Sequence, residues 1–411
     1  MKILFTTPVL EHPAAGGPQL RIENSIIALS RVSDLHVLSR VDKHSLGGET
    51  SDSFFRSHCK EFVYVPSIVE LSGNRYIRKI QKIGRKFLRG ISFFKKDSDF
   101  IIDYAEKENI DVLWFGYGNI SFPLIKEIKR KRSLFKIVCD TDSVWSRFIL
   151  RELPYENDFF RRKKIEKDGT SKEQEEREWI NLCDVTTAVS EVDADYYRSI
   201  ATVKQKIHIF SNVIDVGSYK VAPHPPIGFK SPSFYLAGTF GHYHSPMDTA
   251  ARWIIQDVLL LVRKVIPNVH FYIVGRGSDV LFGNLNDPGI TVTGKLDSVL
   301  PYLCNTDVAI VPLKFESGTR FKILEAGACK VPIVSTTLGA EGIPVIDGVH
   351  ILIADEPHDF AQAIIKLLSD RNLANQLAQN CHQIVNEHFS VESLAGEAGK
   401  ILDYLTYHSH R

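Results

Sequence analysis

Ser317, Gly318, Thr319, Arg320, Lys322 and Glu325 are the residues whose types and spacing best suit chemistry, and they fall within VAIVPLKFESGTRFKILEAGACKVPIVSTTLGAEGI, from Val308 to Ile343. Val308 to Leu313 has the length and β-branched content of a buried strand, which Lys314 to Gly318 break with charge and glycine. Phe321, Leu324 and Ala328, with the small Ala326 and Gly327, then predict a helix with one face for a sheet, ended by Lys330 and Pro332. Ile333 to Thr336 reads as the next strand. The first N–H groups of such a helix are unpaired and its dipole is positive there, so an anion is stabilised. Gly318 lets phosphate oxygens approach the backbone, Thr319 offers a hydroxyl, and Arg320 and Lys322 add positive charge. Glu325 follows about one and a half turns later. A carboxylate repels phosphate but accepts two hydrogen bonds from a ribose diol, so the order suits a nucleotide. The alternative is a structural helix with solvated charges.

The elements that must position these residues need more than one core. At 411 residues the chain suits two domains, and 44% hydrophobic, 24% charged and net +1 is a soluble globular balance. No low-complexity segment or solenoid-length repeat occurs. The opening MKILFTTPVLEHP holds an apolar run too short for a secretory signal, and no stretch reaches 18 apolar residues; the expected location is the cytoplasm. Six scattered cysteines without CxxC spacing predict reduced thiols, no disulfide framework and no zinc site. Val213 to Ser233 contains four prolines and little periodicity, as a linker does. Expected boundaries are a first domain over 1–212, the linker over 213–232, a second domain over 233–389 and a closing helical segment over 390–411.

GTRFKILEAGA followed by VPIVSTTLGAEGI closely resembles bacterial GT-B glycosyltransferases of the glycosyltransferase group 1, family 4-like type. GTFGHYHSPMDTAARWI, VHFYIVGRGSD, ITVTGKLDSVLPYLCNTDVAIVPL and DGVHILIADEPHDFAQAI extend the resemblance in order over the C-terminal half. The N-terminal half matches more loosely, through its opening strand and Gly16-Gly17 loop, VCDTDSVWSR and DVTTAVSEVDADYY. The resemblance implies an α/β protein of two Rossmann-like domains facing across a cleft, with a C-terminal helix crossing back. It implies transfer of a sugar from a nucleotide-diphosphate sugar to a glycan or lipid-linked acceptor in bacterial surface polysaccharide synthesis. No cofactor, metal or nucleic acid is expected. By the same resemblance Gly16 and Gly17 lie against the donor diphosphate or the acceptor, Gly238 and Thr239 face phosphate, and Gly294 and Lys295 meet the base.

Several positions depart from that pattern. Many relatives carry a His in a DxHD-like sequence where this chain has Asp140-Thr141-Asp142. An ionised Asp142 can serve as general base for an acceptor hydroxyl, which favours inversion. Asp140 orients the loop or shares the catalysis; N-terminal capping of the next helix is the alternative for both. The Arg and Lys that clamp the diphosphate in retaining members are replaced by Gly241-His242-Tyr243-His244, where His242 or His244 can bond phosphate or the departing sugar. The E-x7-E signature would need a carboxylate at Ser317; Glu316 is one residue further away. A metal-dependent DxD transferase, a non-catalytic scaffold and a nucleotide-sugar epimerase are the other readings.

Two charged stretches complete the reading. Residues 75–96 hold nine Lys or Arg and no acidic residue, and Tyr76, Ile80, Ile83 and Phe87 fall at helical spacing. Arg78, Lys82, Arg85 and Lys86 of this basic amphipathic helix suit the acceptor side or an anionic membrane surface; packing on its own domain is the alternative. Residues 151–178 are strongly charged and predict a solvated helix and loop.

Overall fold

The computed structural model describes residues 1–14, 16–65, 92–132 and 134–407. Arg78, Lys82, Arg85 and Lys86 lie outside the described residues. The chain divides into two compact units, 1–146 with 163–213 and 391–411, and 147–162 with 214–390.

Among the described residues the first unit holds seven strands: β1 (Lys2–Thr7), β2 (Asp34–Ser39), β3 (Glu61–Tyr64), β4 (Val112–Gly116), β5 (Lys136–Asp140), β6 (Val185–Ala188) and β7 (Ile207–Ile209). They form one sheet in the order β3-β2-β1-β4-β5-β6-β7, every pairing parallel. A parallel sheet is covered on both faces, so its strands are apolar throughout, with alternate residues serving opposite cores. Ile3, Phe5, Val37 and Trp114 pack with Ile22, Ile26 and Leu29 of the Gly17–Ser30 helix and with Leu394, Ile401 and Leu405 of the Val391–Tyr407 helix. Leu4, Leu38, Leu113 and Phe115 face Ile101, Ile125, Trp179 and Tyr197 on the other side. The helix over Val391–Tyr407 is thus part of the first unit's core, each large apolar side chain contributing about 2 kcal/mol.

The second unit carries β8 (Ser233–Ala237), β9 (His270–Val274), β10 (Ile290–Val292), β11 (Val308–Val311), β12 (Ile333–Ser335) and β13 (Leu352–Ile353) in the order β10-β9-β8-β11-β12-β13, again all parallel. Both sheets therefore have a doubly wound order that reverses once, between β1 and β4 and between β8 and β11. Ligands bind at the carboxyl ends of strands at such a reversal. Helix starts are set locally: Ser190 accepts the Asp193 N–H at 3.2 Å, Ser245 accepts that of Asp248 at 3.4 Å, and Pro18 and Pro246 occupy first turns.

The charged helix, Phe159–Leu182, is not wholly solvated, because Glu176, Trp179 and Ile180 are buried. Glu176 accepts the Ser146 N–H at 3.0 Å and its hydroxyl, and that hydroxyl also meets Tyr196 Oη at 2.9 Å. Burial pushes Glu176 up to about 7, with the Ser146 bonds and Lys172 opposing. The folded chain holds this proton more tightly than the unfolded one, so the stabilisation is complete below about pH 4. It is lost as pH rises through about 7. Glu176→Gln should flatten the fall in urea midpoint between pH 5 and 8; an unchanged slope would assign that fall to other groups.

Candidate functional site

The reversal point of the second sheet holds a small pocket lined by Tyr235 and Ala237 of β8, Ala309, Ile310 and Val311 of β11, and Lys322 and Glu325 of the Phe321–Ala328 helix. β11 delivers that helix through Gly318, whose φ of 82° is one that glycine adopts without strain. Three residues apart, Lys322 and Glu325 share a helix face. Both are half-buried. Burial lowers the Lys322 ammonium, partly offset by Glu316 and Glu325, while Arg320 lowers it further. Burial raises Glu325, against the charge of Lys322 and a hydrogen bond from Tyr219. Tyr219 Oη donates to Glu325 Oε1 at 3.2 Å from a short turn, Val216–Tyr219, inside the proline-rich stretch. Ser317, Thr319 and Arg320 are buried, and Arg320 Nη1 donates to the Gly318 carbonyl.

The loops after β8, β9 and β10 are stitched through backbone. Gly238 N donates to Val274 O at 3.0 Å, Phe240 N to Arg276 O at 2.8 Å and Gly275 N to Gly294 O at 3.2 Å. A Cβ on Gly275, at φ 123°, would lie 2.1 Å from the Gly238 carbonyl oxygen, so only glycine fits this approach. A Cβ on Gly238 would lie 3.1 Å from Lys322 Cε, which puts the ammonium-bearing chain against the loop expected to face phosphate. Gly238 thus lies against both Lys322 and Gly275, and Gly275 is bonded in turn to Gly294, so the loops after β8, β9 and β10 are tied together beside the helix that bears Lys322. Thr239 follows Gly238 on that loop, and Lys295 is exposed.

His242 and His244 are exposed. His242 Nδ1 donates to the Tyr243 carbonyl at 2.8 Å, and the His244 N–H to Asp248 Oδ2 at 2.8 Å. Among the described residues no group of three or more His, Cys, Asp or Glu is arranged to hold a metal, and no helix is long and apolar enough to cross a membrane.

In the first unit Gly16 precedes the Gly17–Ser30 helix, and the loop before it is tied down by His12, whose Nδ1 meets Glu23 Oε2 at 2.8 Å. Asp140, at the end of β5, is fully buried and paired with Arg21. The same guanidinium reaches Asn212 Oδ1 at 2.7 Å and the carbonyls of Thr141 and Phe210 at 3.0 and 3.2 Å, while Thr187 Oγ1 donates to Asp140 at 2.7 Å. Asp142 is half-buried and accepts Asn119 Nδ2 at 3.2 Å and Trp145 Nε1 at 3.1 Å through one oxygen, Oδ1. Burial raises its pKa, opposed by Trp145, Arg21 and Asn119. The two aspartates therefore differ in kind: Asp140 is enclosed, and Asp142 has partial access to solvent and a raised proton affinity. Arg21, Tyr219 and Tyr235 carry no motif that singles them out in the sequence.

Residues 235–370 match the family model described as Glycosyl transferases group 1. An uncharacterized glycosyltransferase of Methanocaldococcus jannaschii, MJ1178, is 26% identical over 159 residues, 36% of this chain and 44% of that protein, so the match spans less than half of the relative's length. Sucrose-phosphate synthase from Thermosynechococcus elongatus superposes with a TM-score of 0.69 at 16% identity, covering 100% of both chains. Alr3699/HepE of Anabaena, crystallised with UDP-glucose, gives a TM-score of 0.61 at 13% identity over 99% of this chain and all of that one. Residues 235–370 are a glycosyl transferases group 1 domain, within a chain that has the GT-B glycosyltransferase fold.

Proposed function

We propose that the chain transfers a sugar from a nucleotide-diphosphate sugar to a glycan or lipid-linked acceptor. The observation that carries this reading is the pairing of Lys322 and Glu325 on one helix face at the β8/β11 reversal, with Gly238 against the Lys322 chain. Leaving-group departure puts negative charge on the diphosphate, and a partly desolvated ammonium beside helix N–H groups stabilises it more than water would. This form of the reaction needs no divalent ion. Glu325, oriented by Tyr219, accepts the ribose hydroxyls. HepE, a structural neighbour, binds UDP-glucose, which supports a nucleotide-sugar donor for a site of this fold.

Asp142 is the proposed base. Its raised proton affinity suits removal of the acceptor proton as the anomeric C–O bond to phosphate breaks, with inversion at that carbon. Asp140 holds the loop through Arg21. Thr239, His242, His244 and Lys295 remain proposed donor contacts, as do Gly16 and Gly17 on the donor or acceptor side. The acceptor class, a role in surface polysaccharide synthesis at the cytoplasmic side of a membrane, and membrane contact through residues 75–96 are supported by the family resemblance and by the charge of that run.

Thermal unfolding against a panel of nucleoside diphosphates and nucleotide sugars, each with and without EDTA, tests the reading. A ligand at 100 times its Kd should stabilise by about 2.7 kcal/mol. One nucleotide series should shift the transition in both conditions. A shift abolished by EDTA would overturn metal independence, and no shift across the panel would favour a scaffold.

A further inference from the structure

The stretch Arg147–Arg162 follows β5 in sequence but packs within the second unit. There it meets the loop leading from β11 to the helix that bears Lys322 and Glu325. Arg151 donates from Nη1 to the Glu316 carbonyl at 2.7 Å and to Glu341 Oε1 at 2.8 Å, and from Nη2 to Glu341 Oε2 at 2.7 Å. Arg147 Nη2 lies 3.4 Å from Glu341 Oε2, and the Tyr155 ring stacks on Phe315 at 5.6 Å with 29° between planes. Burial alone would raise Glu341, but the Arg151 hydrogen bond and the charges of Arg151, Arg147 and Arg320 hold it below the usual glutamate range. It is therefore an anion that fixes the Arg151 fork in one orientation. At the start of the same loop Thr336 Oγ1 donates to the Leu313 carbonyl at 2.6 Å.

A fork–fork pair already satisfies a carboxylate, so the third bond, to Glu316 O, serves the loop. Holding that carbonyl fixes the peptide plane between Glu316 and Ser317, two residues before the left-handed Gly318. The direction of the following N–H groups depends on it. We propose that Arg151, oriented by Glu341, is a positioning residue that holds the 316–320 loop in its diphosphate-binding conformation; this rests on the donor reading above.

The test is calorimetric titration of UDP, GDP, ADP and TDP into the full chain and into Arg151→Ala, Arg151→Lys, Glu341→Gln and Arg151→Ala/Glu341→Ala, with circular dichroism and melting of each ligand-free protein. Whichever diphosphate the unmodified chain binds should bind Arg151→Ala about 10- to 100-fold more weakly, the scale that loop misplacement costs. Glu341→Gln should fall the same way. Arg151→Lys should recover part of the loss, since an ammonium can reach the carbonyl but not the whole fork. The double variant should be no worse than Arg151→Ala, because the two groups act as one unit. Unchanged affinity in folded Glu341→Gln and Arg151→Lys, together with folded Arg151→Ala if it is obtained, would overturn the proposal while leaving the donor reading in place. Failure of the unmodified chain to bind any diphosphate would remove the donor reading itself, and this role with it.

Discussion

Lys322→Met should lower kcat/KM for the nucleotide-sugar donor by about 100- to 1,000-fold, about 3 to 4 kcal/mol of transition-state stabilisation, while the ligand-free protein stays as stable or gains slightly. The two halves of this expectation share one cause. Lys322 is a partly desolvated ammonium whose pKa is lowered by burial, and its neighbours Glu316 and Glu325 offset that cost only in part. A desolvated charge of this kind costs stability without ligand and supplies catalysis with it. Methionine keeps the length of the chain against Gly238 and removes the charge. Steady-state kinetics and a thermal melt on the same preparation decide the matter. An unchanged kcat/KM would exclude Lys322 from the donor site, and a large drop in melting temperature would make it a structural residue.

Arg21→Ala should destabilise the first unit by about 3 to 5 kcal/mol, because it leaves the Asp140 carboxylate buried without its cation. Asn212 Oδ1 and the carbonyls of Thr141 and Phe210 would lose a donor at the same time. Arg21→Met combined with Asp140→Leu should recover most of the loss, since a buried pair contributes little net stability beyond an apolar replacement of similar volume. Urea unfolding of both variants measures this. If Arg21→Ala unfolds like the unmodified chain, the pair is solvated in solution and Asp140 returns as a candidate for direct contact with substrate.

The strands were legible because parallel sheets demand continuous apolar runs. Val308 to Leu313 and Ile333 to Thr336 are short, β-branched and bounded by charge, glycine or proline, and they are β11 and β12. Leu352–Ile353 gave no such signal, being two residues long at the edge of its sheet. The helix that carries both Lys322 and Glu325 was legible from its apolar face and from the strand and turn that precede it. Its supports were not. Tyr219 is 106 residues from Glu325 and Arg151 is 190 from Glu341, and neither separation leaves a periodic trace. Charge also misled: the stretch 151–178 reads as solvated throughout, yet Arg151 serves the second unit and Glu176 is buried beneath Ser146. Arg21 lies in an ordinary amphipathic pattern, and what marks it is a partner 119 residues away.

The placement of Val391–Tyr407 in the first unit's core bears on how the chain is made. Leu394, Ile401 and Leu405 belong to the apolar cluster built on β1 and the Gly17–Ser30 helix, but a ribosome reaches them only after the whole second unit. At about 5 to 20 residues per second, the interval from Val213 to Tyr407 is about 10 to 40 s. During that time the nascent first sheet presents one incompletely covered apolar face, which a chaperone can occupy. The second unit holds its own residues by Ser390, so it is the later half of the chain that can finish folding first.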